Sequence, residues 1–328
     1  MTTQLSVKPK TLAGTNRSSP RERGRIQING STAPRNGRAS RGTITRAALS
    51  RPFHSESTRE ALLKGGVGKN ADRIDIAFDQ LSVECNLAGL GRTLLAGDFQ
   101  SELVVDGTAV PTVGDWKSAC WSSDEDGDYL EVQLFCSDNV RIDRQFLLSR
   151  RGHFALFADA VIPAAPAKIE YRLSLPVADG VSVKSDAQTR ECGVGSARVF
   201  PVGLPQDRVL STPGNCFENS GRLDLTQVAL GRGLYLPVVF DWHPKRRRAA
   251  ADWRSLTVTE LGRVVSPDAA AGHRLRVGKQ QLLIYRGLAA TQEARSVLGH
   301  HTRFETVIGS IDAGVVAPII MVETDVTA

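Results

Sequence analysis

Three stretches of this sequence hold residue types that catalysis or ligand binding requires. Lys64-Gly-Gly-Val-Gly-Lys69 has the spacing of a phosphate-binding loop, in which backbone amides cradle phosphates and lysine neutralises them. That chemistry also needs a Ser or Thr after the second lysine to hold magnesium, and Asn70 stands there. It further needs a buried strand before the loop and a helix after it. Here a polar, helix-like piece over Thr58–Lys64 precedes the loop and an alternating strand follows. The stretch therefore predicts a flexible glycine linker.

Ser122-Ser-Asp-Glu-Asp-Gly-Asp128 places four carboxylates within five residues. Calcium takes several hard oxygens, so Asp124, Asp126 and Asp128 are candidate ligands. An EF-hand loop would put glycine sixth and a glutamate twelfth from Asp124, and Phe135 occupies that last place. An acidic turn between strands is the plainer expectation.

Asp241-Trp-His-Pro-Lys-Arg-Arg-Arg248 joins an aromatic, an imidazole and four consecutive cations. Arginine pairs bidentately with carboxylate or sulfate, and tryptophan stacks on a sugar ring. Trp242, His243 and Arg246 are thus candidate glycan contacts, together with Trp121 and the adjacent Tyr285 and Arg286. A solvated turn that keeps a strand end soluble is the competing reading.

The remaining chemistry is sparse. Six histidines (His54, His153, His243, His273, His300 and His301) lack metal-binding spacing. Five cysteines (Cys85, Cys120, Cys136, Cys192 and Cys216) lack a Cys-x-x-Cys pair and predict reduced, mostly buried thiols. No Gly-x-Ser-x-Gly elbow anchors a serine hydrolase. No cofactor is expected.

The elements that must position these residues are strands. Period-two alternation begins at Arg73, with Ile74, Ile76 and Phe78 on one face. Asp106-Gly107 predicts a tight hairpin. Leu130, Val132 and Leu134 alternate with Tyr129, Glu131 and Gln133. Phe154–Val161 is apolar on both faces, as a covered central strand would be. Further strands are expected through Ile319–Val322, and only Thr58–Lys64 and Asp268–Ala271 suggest short helices. The pattern predicts an all-β fold, a large double-sheet antiparallel β-sandwich over residues 71–328.

Charge divides the chain at the same boundary. Residues 1–70 carry 14 Lys and Arg against three Glu, a net of +11, so the rest carries 27 against 32, a net of −5. Residues 1–57 are rich in Arg, Ser and Gly and poor in apolar groups, which predicts a disordered basic tail, with 58–70 as short helix and linker. A start codon called too early is an alternative origin for this tail. The basic charge belongs there, so the folded part is not expected to bind nucleic acid. No stretch approaches the roughly 20 apolar residues that would cross a bilayer, and no secretory signal is seen; a cytoplasmic address follows by default.

Two groups of strand phrases carry a family resemblance. One comprises Trp121-Ser-Ser-Asp-Glu-Asp-Gly-Asp-Tyr129, Arg144-Gln-Phe-Leu-Leu148 and Phe157-Ala-Asp-Ala-Val161. The other comprises Trp253-Arg-Ser-Leu-Thr-Val-Thr-Glu260, Leu283-Ile-Tyr-Arg286 and Val297-Leu-Gly-His300. Together they resemble the C-terminal β-sandwich of heparinase II/III-like polysaccharide lyases. The resemblance implies an acidic polysaccharide bound between the sandwich and an N-terminal α/α toroid. It also implies β-elimination through Tyr and His, with Asn, Gln or Arg on the carboxylate. The 70 residues before the sandwich are too few for a toroid, and no catalytic residue carries over. Three readings follow. The chain is a non-catalytic sandwich that faces carbohydrate or partners a separate toroid chain; or an enzyme on acidic glycans using Tyr285, Arg286 and His243; or a structural protein-interaction sandwich.

Overall fold

The computed structural model describes residues 5–7 and 51–324, apart from 69, 80–81, 187–188, 205 and 207–212. The bulk of the predicted tail, residues 8–50, lies outside the described residues.

The fold is an all-β antiparallel sandwich, and it has more than two layers. At its centre is an eight-stranded sheet in the order Val183–Ser185, Cys192–Val194, Ala197–Phe200, Leu234–Asp241, Phe154–Ile162, Arg141–Ser149, Gly127–Phe135 and Lys117–Ser123. Two five-stranded sheets cover one face. One runs from Phe53–Ser55 to Arg92–Asp98, the other contains Ala167–Pro176 and Arg222–Gly231, and a bridge between Leu95 and Val177 links them. A six-stranded sheet covers the opposite face, in the order Leu5–Val7, Val315–Thr324, Thr306–Asp312, Gln280–Gly287, Ala270–Val277 and Ala251–Leu256. Beyond it lies a small sheet of Arg263–Val265, Val258–Glu260, Arg295–Val297 and His300–Thr302.

Side-chain alternation explains the layering. Along Phe154–Ile162, Ala155, Phe157 and Val161 enter one apolar cluster, while Leu156, Ala158 and Ala160 enter another. A strand whose successive side chains point to opposite faces can serve two cores only if both faces are apolar. The expected central strand is thus the middle of the molecule. Its neighbours are buried on both faces too, although Glu131, Asp143 and Arg144 interrupt them. A third cluster, with Val258, Leu283, Tyr285 and Val307, joins the six-stranded sheet to the small one.

Other expectations meet mixed outcomes. Asp106 and Gly107 both have positive φ (48° and 81°) and close the hairpin between Gln100–Val105 and Thr108–Val110, as their types predicted. The helix expected over Thr58–Lys64 is instead a strand, Glu60–Lys64, paired in register with Arg73–Phe78. Its burial explains the change: Ala61, Leu62 and Leu63 are apolar and fully covered, so tertiary contact overrides local propensity. Strands before Ala71 therefore belong to the fold: Phe53–Ser55 and Glu60–Lys64 in a five-stranded sheet, and Leu5–Val7, inside the expected tail, on the six-stranded sheet. Asp268 lies in a turn that leads into the strand Ala270–Val277, so no helix forms there either. Among the described residues no helix is long and apolar enough to cross a membrane.

Candidate functional site

Charged side chains gather in several places, and two of them hold most of the residues singled out in the sequence.

The first is one end of the central sheet. The glycine loop joins two paired strands and is therefore a hairpin connection, with Gly65 N–H donating to Asp72 O at 2.8 Å. Arg150 ties this loop to the acidic turn. Its guanidinium donates to Lys64 O (3.0 Å), Asp124 O (2.8 Å), Ser123 Oγ (2.9 Å) and Asp128 Oδ1 (2.5 Å). Asp128 also accepts from Lys64 N–H at 2.7 Å, and Asp124 accepts from Asp126 and Gly127 N–H at 2.8 and 3.0 Å. Burial, outweighing these donors, raises the Asp128 pKa. Asp124 and Asp128 thus turn their carboxylates to backbone amides and one arginine. Among the described residues no set of three or more His, Cys, Asp or Glu side chains is gathered for a metal.

The basic turn lies at this same end. Arg246 forks onto Asp241 (2.7 and 3.1 Å) and reaches Gly152 O at 2.5 Å. Pro244 opens a single helical turn, and His243 Nδ1 caps it by accepting from Lys245 N–H. The His243 ring stands 5.4 Å from that of His153, and burial followed by Arg246 and His153 lowers its pKa. His153 is held in turn by Asp72 Oδ2 at 2.6 Å.

Trp242 is no stacking platform: it is 1% exposed, and its ring lies 2.8 Å from where a Cβ on Gly89 would stand. Indole burial in the core accounts for its place at the strand end. Trp121 is half-buried, and His54 stacks on it at 5.6 Å.

The second place is a cleft of about 270 Å³ at the junction of the six-stranded and small sheets. Tyr285 and Arg295 face it, with Arg141, Arg303, Phe304 and Glu305 around them. A Cβ added to Gly287 would sit 3.2 Å from Arg295 Nη1 and 3.6 Å from the Tyr285 hydroxyl. Glycine at that position keeps open the space in front of both groups. Arg295 is fixed by Glu260 (2.9 Å) and by Ala269 O (3.2 Å). Arg303 is exposed and forms no ion pair among the described residues. Burial raises the Tyr285 pKa, so its phenol is a neutral donor at ordinary pH.

Arg286 takes the opposite face of the same strand. It is fully buried against the central sheet and pairs with Glu131 (3.0 Å), Asp143 (2.5 Å) and Glu305 (3.2 Å). Adjacent strand residues point oppositely, so Tyr285 and Arg286 cannot share a ligand. His243 lies with the first cluster. The Tyr285, Arg286 and His243 set considered for elimination is therefore not assembled. Arg141, Arg295 and Arg303 escaped the sequence reading because they come from separate parts of the chain, two strand starts and a connection, with no common spacing. The one local signal was Thr302-Arg-Phe-Glu305, cation and anion flanking an aromatic.

No protein-family model matches this chain, and no curated protein matches it. Solved structures do. The heparan sulfate lyase HepC from Pedobacter heparinus is 12% identical with a TM-score of 0.47, and the alignment covers 74% of this chain and 43% of that one. A heparinase III structure is 9% identical with a TM-score of 0.45, covering 73% and 43%. A 4-alpha-glucanotransferase from Thermococcus litoralis is 10% identical with a TM-score of 0.32, covering 61% and 41%. The heparinase resemblance expected from the strand phrases is present among them. This chain spans about two fifths of the length of these proteins.

Proposed function

We propose that this chain is a non-catalytic carbohydrate-facing sandwich and that its Tyr285–Arg295 cleft receives one acidic sugar unit. The observation that supports this is the convergence of the Arg295 guanidinium and the Tyr285 hydroxyl on space that Gly287 leaves open. A fixed guanidinium suits a carboxylate or sulfate, and a neutral phenol donates to a ring or hydroxyl oxygen. Phe304 supplies an apolar wall, and exposed Arg303 adds a positive charge at the mouth. A volume of about 270 Å³ suits a single ring better than a chain of several. No histidine lines the cleft. Proton abstraction by imidazole therefore has no group to perform it there, which favours binding over elimination.

The test is a binding screen of the full chain against neutral, carboxylated and sulfated oligosaccharides at two salt concentrations. Salt-sensitive binding to acidic sugars, abolished by Gly287→Val and weakened several-fold by Arg303→Ala, is the expected result. Binding that survives Gly287→Val would remove the cleft from the reading. Unsaturated products in the same incubations would replace binding with lyase activity.

A further inference from the structure

We infer that Cys192 and Cys216 form a disulfide-capable pair that can staple two layers of the sandwich together. The two Sγ atoms are 3.2 Å apart, inside the contact distance of two sulfurs. They belong to different sheets. Cys192 lies on the short strand Cys192–Val194 of the central eight-stranded sheet. Cys216 lies on Gly214–Asn219, the edge strand of a five-stranded sheet that covers it. Both are buried in the same apolar cluster, 1% and 6% exposed. A disulfide holds its sulfurs about 2.05 Å apart, so closure asks for a movement of about 1 Å, small for short strands of which one is a sheet edge and the other next to one.

The pair is also polarised. The hydrogen bond shared by the two thiols lowers the Cys192 pKa and raises that of Cys216. Cys192 is thus the attacking sulfur. Elsewhere burial dominates: Cys85 and Cys136 are raised by desolvation, as is Cys120, and those three thiols are inert by comparison.

A low-molecular-weight disulfide such as oxidised glutathione suffices as oxidant. The Cys192 thiolate attacks one of its sulfurs, forming a mixed disulfide and releasing one glutathione thiolate. Cys216 then loses its proton to solvent, and its sulfur attacks the Cys192 sulfur and expels the second glutathione thiolate. Two protein thiols are oxidised by two electrons, and one small disulfide is reduced to two thiols.

The staple would have a structural consequence. The segment between the two cysteines carries Leu204, whose carbonyl accepts from Trp253 Nε1 at 2.8 Å. Trp253 belongs to the six-stranded sheet on the far face. Closing the 192–216 loop therefore restrains a connection that touches all three principal layers. Arg198, within the same segment, donates to Arg246 O and Ala249 O, so the basic turn is restrained as well.

The experiment is refolding of the reduced, denatured full chain in a glutathione redox buffer, so that access to the buried pair is not limiting. Afterwards the chain is alkylated under denaturing conditions and digested with trypsin. The expected product joins the peptides 191–198 and 209–222, leaves Cys85, Cys120 and Cys136 alkylated, and melts several degrees above the dithiothreitol-treated protein. Cys192→Ala and Cys216→Ala each abolish the cross-link and the redox dependence of the melting point. Full alkylation of both cysteines, a glutathione adduct that persists on Cys192, or a cross-link to another cysteine would each overturn the pairing.

Discussion

Each face of the central sheet buries one arginine, and the two are neutralised in different ways. Arg144 faces the two five-stranded sheets. It meets one carboxylate, Asp159, through two parallel bonds of 2.9 Å each, and lies 4.9 Å over the Trp116 ring. Tyr171 donates to the same carboxylate at 2.6 Å, and Phe99 O takes a further guanidinium N–H. One cation, one anion and satisfied lone pairs make a closed clip. Burial opposes the charge of Arg144, but Asp159 and Tyr171 outweigh it and hold the guanidinium protonated.

Arg286 faces the six-stranded sheet and meets three carboxylates: Glu131, Asp143 and Glu305. Half-buried Arg141 adds a second cation beside Asp143 (3.0 Å) and Glu305 (3.5 Å). Tyr129 donates to Glu131 and Thr306 accepts from Arg286, so the excess of negative charge is spread over a network. Burial raises the pKa of Asp143 to about 6. One cluster is a fixture; the other is an over-acidic network that reaches the cleft through Glu305 and Arg141. Identical residue types thus give a rigid clip or a titrating one according to their stoichiometry.

That contrast can be broken by substitution. Arg286→Met leaves three buried carboxylates facing one half-buried arginine and should prevent stable folding at neutral pH. Partial recovery near pH 5, read by circular dichroism, is expected, because protonation relieves the repulsion. Arg144→Met strands a single buried carboxylate and should cost about 3–5 kcal/mol in urea unfolding, with a smaller recovery at low pH than Arg286→Met because only one acid is left to protonate. Equal losses and equal acid rescue in the two variants would erase the distinction.

A smaller effect concerns pH in the unmodified protein. Asp143 has a folded pKa above its unfolded value, so between about pH 4 and 6 the folded state binds more protons. Its contribution to stability is therefore greatest at low pH and declines as pH rises through about 6. Asp143→Asn should flatten the difference in urea midpoint between pH 4.5 and 7; an unchanged slope would reject this origin. The smallest expected change is Glu305→Gln. It removes one negative charge from the network and from the cleft wall. Stability should move by less than about 1 kcal/mol, while binding of an acidic sugar should tighten a few-fold by titration calorimetry.

These clusters also show where the sequence was legible. Phe154–Val161 declared its doubly buried position, because apolar residues on both faces have no other use in a soluble strand. Asp106-Gly107 declared its turn through backbone sterics. Glu131 and Gln133 alternate with apolar residues, and nothing in that alternation reports the third layer that buries them. Glu131 meets Arg286, 155 positions further along the chain, and no local pattern reports so distant a partner. Glu60–Lys64 misled in the same way, since its burial depends on packing that short-range polarity does not encode. For the site, Tyr285 was found by type, while Arg295 was hidden at the start of a three-residue strand with no pattern of its own.

The layers are arranged almost in order of synthesis. The central sheet and the two sheets on its first face come from residues 53–241, whereas the six-stranded and small sheets come from 251–324, apart from Leu5–Val7. As the chain leaves the ribosome, the first part can assemble while its second face is still bare. Glu131 and Asp143 lie on that face, and until Arg286 emerges they are solvated, mutually repelling charges. The acids that later form a buried network would at that stage act as gatekeepers against sheet-to-sheet aggregation.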